Sequence, residues 1–346
     1  MKSALHGLLP AELEALCREL GEPAFRARQL WQWLQVRHAL DWASCSNLPK
    51  RLAAALDAAG WSPSPLAPLR TASDPSGTAK WLFRLLDGET IETVHIPSAA
   101  GHTVCVSTQV GCRMGCAFCA TAKSGYARSL AAGEIVAQVH AVARALDCRP
   151  DHVVFMGMGE PFDNYDATLR AARLINHPDG LDIGARKITI STCGVVPGIQ
   201  RLAGEGLQLE LSVSLHAPNP DIRRRLMPVE RRWPMPELLD ACAAYTAKTK
   251  RIVTFEYTLV RGLNDAPAHA EELATRLSAF PCRVNLIPLS PVPEFPGEAP
   301  SRSDIRRFLD VLARRRIPAT LRDSKGSTLC AACGQLRRAA PSSPPS

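Results

Sequence analysis

The sequence contains no run of eighteen apolar residues, so nothing in it reads as a membrane span. It shows no secretory signal either: Lys2 is followed by only a short apolar stretch, broken at Glu12 and Glu14. No internal repeat is visible, which sets aside solenoids and propellers. No Cys or His follows within ten residues of Cys119, so a compact zinc knuckle around that cysteine lacks its fourth ligand. What is present in quantity is thiol, with 12 Cys among 346 residues. Without an export signal, a cytoplasmic location is expected, and such a chain uses its thiols for metal or redox chemistry rather than static disulfides. Apolar residues make up 46% and charged residues 21%, the balance of a globular protein with one large domain, or one large and one small. The net charge of +8 favours an anionic partner, with nucleic acid the first candidate.

The organising stretch is Cys112-Arg113-Met114-Gly115-Cys116-Ala117-Phe118-Cys119. Thiolates hold iron–sulfur clusters, and short spacings let one loop wrap such a cluster. A 4Fe-4S cluster normally takes four Cys ligands, whereas this loop offers three. One iron is therefore left open, as catalytic metals keep a position free for substrate. The C-x3-C-x2-C spacing resembles the signature of the radical S-adenosylmethionine (SAM) superfamily, in which the open iron is chelated by the amino and carboxylate groups of SAM.

Residues 1 to about 60 read as helical. Pro10 to Leu16 has apolar residues at helical spacing and is stopped by Gly21; Glu22 to Arg37 and Leu48 to Ala59 follow. Trp31 and Trp33 are read first as core packing; the alternative is a basic, aromatic surface facing RNA. Trp61 to Leu69 reads as a proline-rich linker. Residues 79–85 and 90–96 flank Asp87-Gly88 as a hairpin, with Glu92 on its second strand.

From residue 103 strands alternate with helices. The strands are Thr103–Gln109, His152–Met156, Lys187–Thr192, Leu209–Leu215, Ile252–Leu259 and Arg283–Leu289. Six such units imply an α/β fold with a parallel sheet, a partial (β/α)6 TIM-type barrel. It would carry a small N-terminal helical accessory domain (1–70) that binds RNA, a hairpin linker (71–98), a core (99–336) and a disordered Pro/Ser tail (337–346). Active sites of such folds lie at the C-terminal strand ends. Five of the six ends carry something unusual: the three-Cys loop, Gly157-Met158-Gly159-Glu160-Pro161, Ser191-Thr192-Cys193-Gly194, Ser214-Leu215-His216-Ala217 and Pro288-Leu289-Ser290-Pro291. The runs Arg223-Arg224-Arg225 and Arg314-Arg315-Arg316 read as solvated faces, or as phosphate contacts that would make binding salt-dependent.

These stretches, together with Gly21 to Gln29, Cys105 to Cys112, Gly194-Val195-Val196-Pro197 and Ala331-Ala332-Cys333-Gly334-Gln335-Leu336, resemble the RlmN/Cfr family of radical SAM RNA adenine methyltransferases over nearly the whole chain. The resemblance implies that Cys112, Cys116 and Cys119 bind the 4Fe-4S cluster. It implies that Gly159 and Glu160 hold the amino end of SAM, a carboxylate suiting an ammonium, and that Ser191, Ser214, Leu215, His216 and Ser290 line the rest of it. Cys333 would be the methyl carrier, passing through S-methylcysteine, and Cys105 its redox partner. Glu92 would accept a proton, and Met156 would help place the carrier.

Two isolated cysteines follow from the chemistry the resemblance implies. Carbon 2 of adenine is too electron-poor to attack a methyl sulfonium. One SAM would therefore methylate the Cys333 thiolate, and a second, cut reductively, would supply the 5′-deoxyadenosyl radical that activates this methyl group. Glu92 would remove the ring proton. Cys105 would then release the methylated base and leave a Cys105–Cys333 disulfide to be reduced. The implied partners are ribosomal (23S) RNA, transfer RNA or both, and an electron donor such as flavodoxin or ferredoxin; the implied state is a monomer away from membranes. Methylation at carbon 8, or another RNA target, is the close alternative. More distant ones are a radical SAM enzyme for a small molecule and a non-catalytic metal-bearing RNA-binding module. The sequence departs from the family pattern at Ser290, where Asn is usual, at Cys193, where Ser is usual, and at Cys330, where a polar or acidic residue is usual.

Overall fold

The computed structural model describes residues 3–63, 65–322, 329, 331 and 334–337. Strand β1 (Ser3–Ala4) pairs in parallel with β2 (Trp61–Ser62), closing the N-terminal region on itself around α1 (Pro10–Glu19), α2 (Phe25–Trp31) and α3 (Lys50–Ala58). Pro10 occupies the first turn of α1, where a missing N–H is harmless, and Glu12 reaches back to accept from the Leu9 N–H at 2.7 Å. Leu13, Leu16, Leu30, Trp31 and Leu34 turn inward and are buried. Trp31 is therefore core, its indole N–H donating to the Asp179 carbonyl at 2.6 Å. Trp33 differs: it is half-buried beneath the Arg37 guanidinium, 4.5 Å from the ring centre.

The stretch expected to be a linker is not one. Leu66–Ser73 forms β3, antiparallel to β4 (Ala79–Leu85), with a bulge between Pro68 and Arg70. Proline cannot donate to a ladder, which confines such a strand to an edge, and β3 is the last strand of its sheet. β4 and β5 (Thr90–Ser98) form the expected hairpin. β5 then pairs antiparallel with β6 (Gly101–Cys105), so the hairpin extends the main sheet.

β6 ends at Cys105 rather than Gln109. The next strand, β7 (Gln109–Gly111), leaves the sheet and pairs with β8 (Tyr126–Ser129); the three-Cys loop and the short α4 (Ala120–Lys123) lie between them. α5 (Ala132–Leu146), buried along Ile135, Val136, Val139 and Val142, leads to β9 (His152–Phe155) beside β6. Four further units follow. They comprise α6 (Tyr165–Asn176), β10 (Ile188–Thr192), α7 (Val196–Leu202), β11 (Glu210–Ser214), α8 (Pro220–Leu226), α9 (Met235–Thr249), β12 (Val253–Leu259), α10 (Pro267–Leu277) and β13 (Cys282–Pro288). After α11 (Arg302–Arg314) a seventh parallel strand, β14 (Ala319–Leu321), completes the edge. The spatial order is β14-β13-β12-β11-β10-β9-β6-β5-β4-β3, an α/β architecture with an open, mostly parallel sheet. Helix α8 was not expected, although its signals are present: Asn219 accepts from the Ile222 N–H at 3.0 Å and Pro220 follows it.

All seven residues of β12 are buried, as in parallel sheets covered on both faces. The carrier-thiol candidate Cys333, Cys330 and the tail beyond residue 337 lie outside the described residues. Among the described residues no helix is long and apolar enough to cross a membrane.

Candidate active site

The loop from Cys112 to Cys119, with Ala120 just after it, is pinned at three places. The Cys112 N–H donates to the Gly125 carbonyl at 3.0 Å, inside the β7–β8 clasp. The Ala117 N–H donates to the Leu226 carbonyl of α8 at 2.8 Å, and the Ala120 N–H to the Gly334 carbonyl at 2.7 Å. The clasp depends on Gly111, whose φ of +78° and close approach to the Gly125 carbonyl leave no room for a Cβ.

The loop faces a cavity at the C-terminal strand ends, with about 930 Å³ of empty space including its mouth. Cys112, Cys116 and Cys119 line it. So do Met156, Gly159, Glu160, Ser191, Ser214 and His216, from the ends of the three neighbouring strands β9, β10 and β11. Leu215 is fully buried and does not line it; its backbone N–H donates to the Glu256 carbonyl at 3.0 Å. Ser290, buried past the end of β13, and Cys105, buried at the end of β6, are also off the wall.

Glu92 is likewise off the wall but tied to it indirectly. Its carboxylate is buried, 2.8 Å from Lys80 Nζ, and accepts from the Arg337 N–H at 2.9 Å. The same C-terminal segment is held by the Thr121 hydroxyl donating to the Leu336 carbonyl at 2.6 Å and by the Gln335 amide donating to the Pro291 carbonyl at 3.0 Å. Gly334 and Leu336 line the cavity. The chain that follows Cys333 is thus fastened between the Cys loop and Glu92.

The donors suit the two groups the motif implies. Burial pushes the Cys112 thiol up to about 12, and the Cys116 thiol rises well above its usual value through burial and then through its neighbours Cys119 and Cys112. Buried, neighbouring thiols such as Cys112 and Cys116 ionise together only beside a cationic centre. Three thiols from one short loop at the cavity wall are the soft donor set that an iron–sulfur cluster takes.

Glu160 is buried, and burial raises its carboxyl above the usual range. Its oxygens accept from the backbone N–H groups of Phe162 (3.0 Å) and Cys193 (2.7 Å). A buried carboxylate held by backbone donors at a cavity wall suits an ammonium such as that of SAM. Gly159 is required beside it, because a Cβ there would meet the Gln109 side chain at 2.6 Å. His216 sits at φ +54°; its Nδ1 accepts from the Thr258 N–H at 2.9 Å, so the neutral ring carries its proton on Nε2. Burial, then the nearby Arg223, pushes its pKa down to about 3, which fixes that neutral form.

Among the wall residues that the sequence reading did not name as ligands are Thr192, Thr258 and Glu256. Glu256 had a signal, since a lone acid inside an otherwise apolar strand must either face a cavity or be paired.

A three-thiol loop over the C-terminal rim of an open parallel barrel, beside a glycine-Glu pair, defines a radical SAM enzyme, whose cofactors are a 4Fe-4S cluster and SAM. Comparison with known proteins agrees. A model of the Radical SAM superfamily matches residues 106–274, and one described as the ribosomal RNA large subunit methyltransferase N-terminal domain matches residues 4–59. A protein of Symbiobacterium thermophilum named "Probable dual-specificity RNA methyltransferase RlmN" is 46% identical, over 98% of this chain and 92% of its own length. A protein of the same name from Halalkalibacterium halodurans is 47% identical, over 94% and 91%. The crystal structure of a radical SAM methyltransferase from Sphaerobacter thermophilus superposes with a TM-score of 0.93 at 49% identity, covering 96% of this chain and 99% of that one. The chain belongs to the RlmN family of radical SAM methyltransferases.

Proposed function

We propose that this enzyme methylates a ring carbon of adenine in RNA, with carbon 2 favoured and ribosomal RNA, transfer RNA or both as substrate. The reading is supported by one observation above the others: the segment that follows Cys333 is fastened between the Cys loop and Glu92. A thiol next to that segment is adjacent in sequence to the cavity wall at Gly334. The names borne by the relatives, dual-specificity RNA methyltransferases, point the same way, as does the net charge of +8.

In this reading Cys112, Cys116 and Cys119 hold the cluster, and Glu160 takes the ammonium of SAM. Ser191, Ser214 and the Nε2 proton of His216 offer polar contacts to the rest of SAM. When bound, the cluster and SAM supply one-electron chemistry that no side chain provides. Cys333 takes the methyl group on sulfur and presents it to the base. Glu92, its carboxylate 2.8 Å from Lys80 Nζ, takes the proton from the ring carbon. Cys105 attacks the Cys333 sulfur and frees the product. The N-terminal helices, with Arg37 stacked on half-buried Trp33, serve as the RNA-binding accessory unit.

Mass mapping of modified adenosines in RNA from cells with and without this gene tests the proposal. Loss of a 2-methyladenosine in the deletion strain is expected. Loss of an 8-methyladenosine instead would move the chemistry to the other ring carbon, and an unchanged map would sink the reading.

A further inference from the structure

A second concavity backs onto the cluster loop, with about 1050 Å³ of open space. Met114, inside the Cys motif, belongs to its wall and to the wall of the active cavity. Phe162, Val195, Pro197, Pro228, Val229 and Trp233 give it an apolar part, and Arg113, Asp163 and Arg232 a charged one. Pro228 lies against the loop itself, within 3.5 Å of where a Cβ on Gly115 would stand. The Cys loop thus forms a wall common to this groove and to the cavity that its thiols line.

The rim is positive. Arg113, half-exposed, and Arg232, exposed, stand at the groove, and Arg224, Arg225 and Arg231 are exposed on the same stretch of chain. The acids there are already engaged. Asp163 lies 3.1 Å from Arg113, Asp221 lies 3.2 Å from Arg224, and Glu230 is buried against Arg223. Trp233 and Arg232 stack at 4.5 Å, the residue types that anchor protein interfaces.

We propose that this groove is the docking face for an acidic, low-potential one-electron carrier protein. The proposal rests on the radical SAM reading of the cavity, whose cluster must receive an electron from outside. Electron tunnelling weakens steeply with distance, so a carrier must dock where little protein intervenes. It must also leave the cavity mouth and the segment after Cys333 to the RNA. A groove behind Met114 meets both conditions, and the arginine rim steers an acidic partner onto the apolar part. One electron leaves the carrier's reduced cofactor and enters the cluster; the carrier is oxidised by one, the cluster is reduced by one, and no group is transferred.

The test uses holoenzyme carrying Arg231→Glu with Arg232→Glu, and the milder Arg231→Gln with Arg232→Gln. Cluster reduction is followed by electron paramagnetic resonance with flavodoxin hydroquinone, with reduced ferredoxin and with dithionite. The reversal pair should slow reduction by the protein carriers about tenfold or more at low salt and remove its salt dependence, with the glutamine pair between. Dithionite reduction and RNA affinity should not change. Unchanged carrier rates would overturn the proposal. So would lost RNA affinity with intact carrier rates, which would give the groove to RNA, or a wild-type cluster reduced by dithionite and by neither carrier. A wild-type protein that dithionite cannot reduce would fail earlier, at the radical SAM reading itself.

Discussion

Arg223 donates to Glu230 at 2.6 Å, and both side chains are fully buried. The other Glu230 oxygen accepts from the Met235 N–H at 3.0 Å, and the other arm of Arg223 donates to the Cys193 carbonyl at 2.7 Å. The pair therefore joins α8, the start of α9 and the turn after β10, all beside the Cys loop. The sequence reading put the whole Arg223-Arg224-Arg225 run on a solvated face; the structure keeps only Arg224 and Arg225 there. On a helix, residue 223 shares its inward side with Leu226, and its two neighbours point away. Replacing Arg223 by Met strands a buried carboxylate, so the cofactor-free chain should lose about 3–5 kcal/mol in denaturant unfolding. Adding Glu230→Gln should recover part of the loss. A single mutant with an unshifted midpoint would show that the pair is not structural.

Glu256 gives a pH prediction. It is buried at the cavity wall, one oxygen within reach of Asn285 at 3.0 Å and Ser212 at 3.3 Å, the other without a partner among the described residues. Burial raises its pKa, and the more distant Arg322 opposes this. For an acid, a raised folded pKa means that the native state holds the proton more tightly than the unfolded chain. Its stabilising contribution is complete below the unfolded pKa and is lost as pH rises through the folded one. Glu256→Gln should therefore leave the cofactor-free chain more stable than wild type at neutral pH and equal to it in acid. Melting curves across pH check this; a variant less stable at neutral pH contradicts it.

A buried histidine network gives the opposite slope. His140 Nε2 donates to Gln35 Oε1 at 2.9 Å, because the Gln35 amide is committed to the His6 carbonyl at 3.0 Å. The neutral His140 ring must then accept at Nδ1, so His38 Nδ1 donates across 2.8 Å. Burial pushes His6 down to about 4 and His140 well below its usual value. A depressed histidine contributes stability above its unfolded pKa of about 6.5 and loses it as pH falls through the folded value. Since the network joins the N-terminal helices to α5, hydrogen exchange in α2 should quicken below about pH 6 while α9 stays protected. Equal quickening in both would mean global unfolding instead.

Gly111→Ala tests the clasp. A Cβ at φ +78° is strained and collides with the Gly125 carbonyl, which holds the Cys112 N–H. The variant should keep its far-ultraviolet circular dichroism and lose most of its bound iron after anaerobic reconstitution. Full iron content would show that the loop tolerates an opened clasp.

The strands were readable because Val, Ile and Thr cluster in them, and the Cys loop because three thiols at that spacing have few other uses. What stayed hidden was set by tertiary contact. Nothing in Val106-Ser107-Thr108 says that the chain quits the sheet after Cys105, since no Gly or Pro breaks it. Pro65 and Pro68 suggested a linker where an edge strand tolerates them. The burial of Arg223 depends on Glu230, which could be known as its partner only after α8 had been placed. The wall position of Glu160 followed from its motif, whereas that of Glu256 needed the barrel.

The last prediction concerns Cys105. It ends β6, in register with Val154 on one side and Val94 on the other. Two residues on, the Ser107 hydroxyl donates to the Glu92 carbonyl at 2.6 Å, and the Glu92 carboxylate holds Arg337, four residues past Cys333. If Cys105 resolves the bridge between Cys333 and the base, Cys105→Ala should still assemble its cluster but remain covalently joined to RNA. A nuclease-sensitive, gel-shifted species should accumulate, and it should vanish in the Cys105→Ala, Cys333→Ala double variant. The double variant matters because a merely misfolded single mutant would yield no adduct at all. Steady turnover by Cys105→Ala, with free methylated RNA and no adduct, would remove Cys105 from the mechanism and leave it a small buried residue of the sheet.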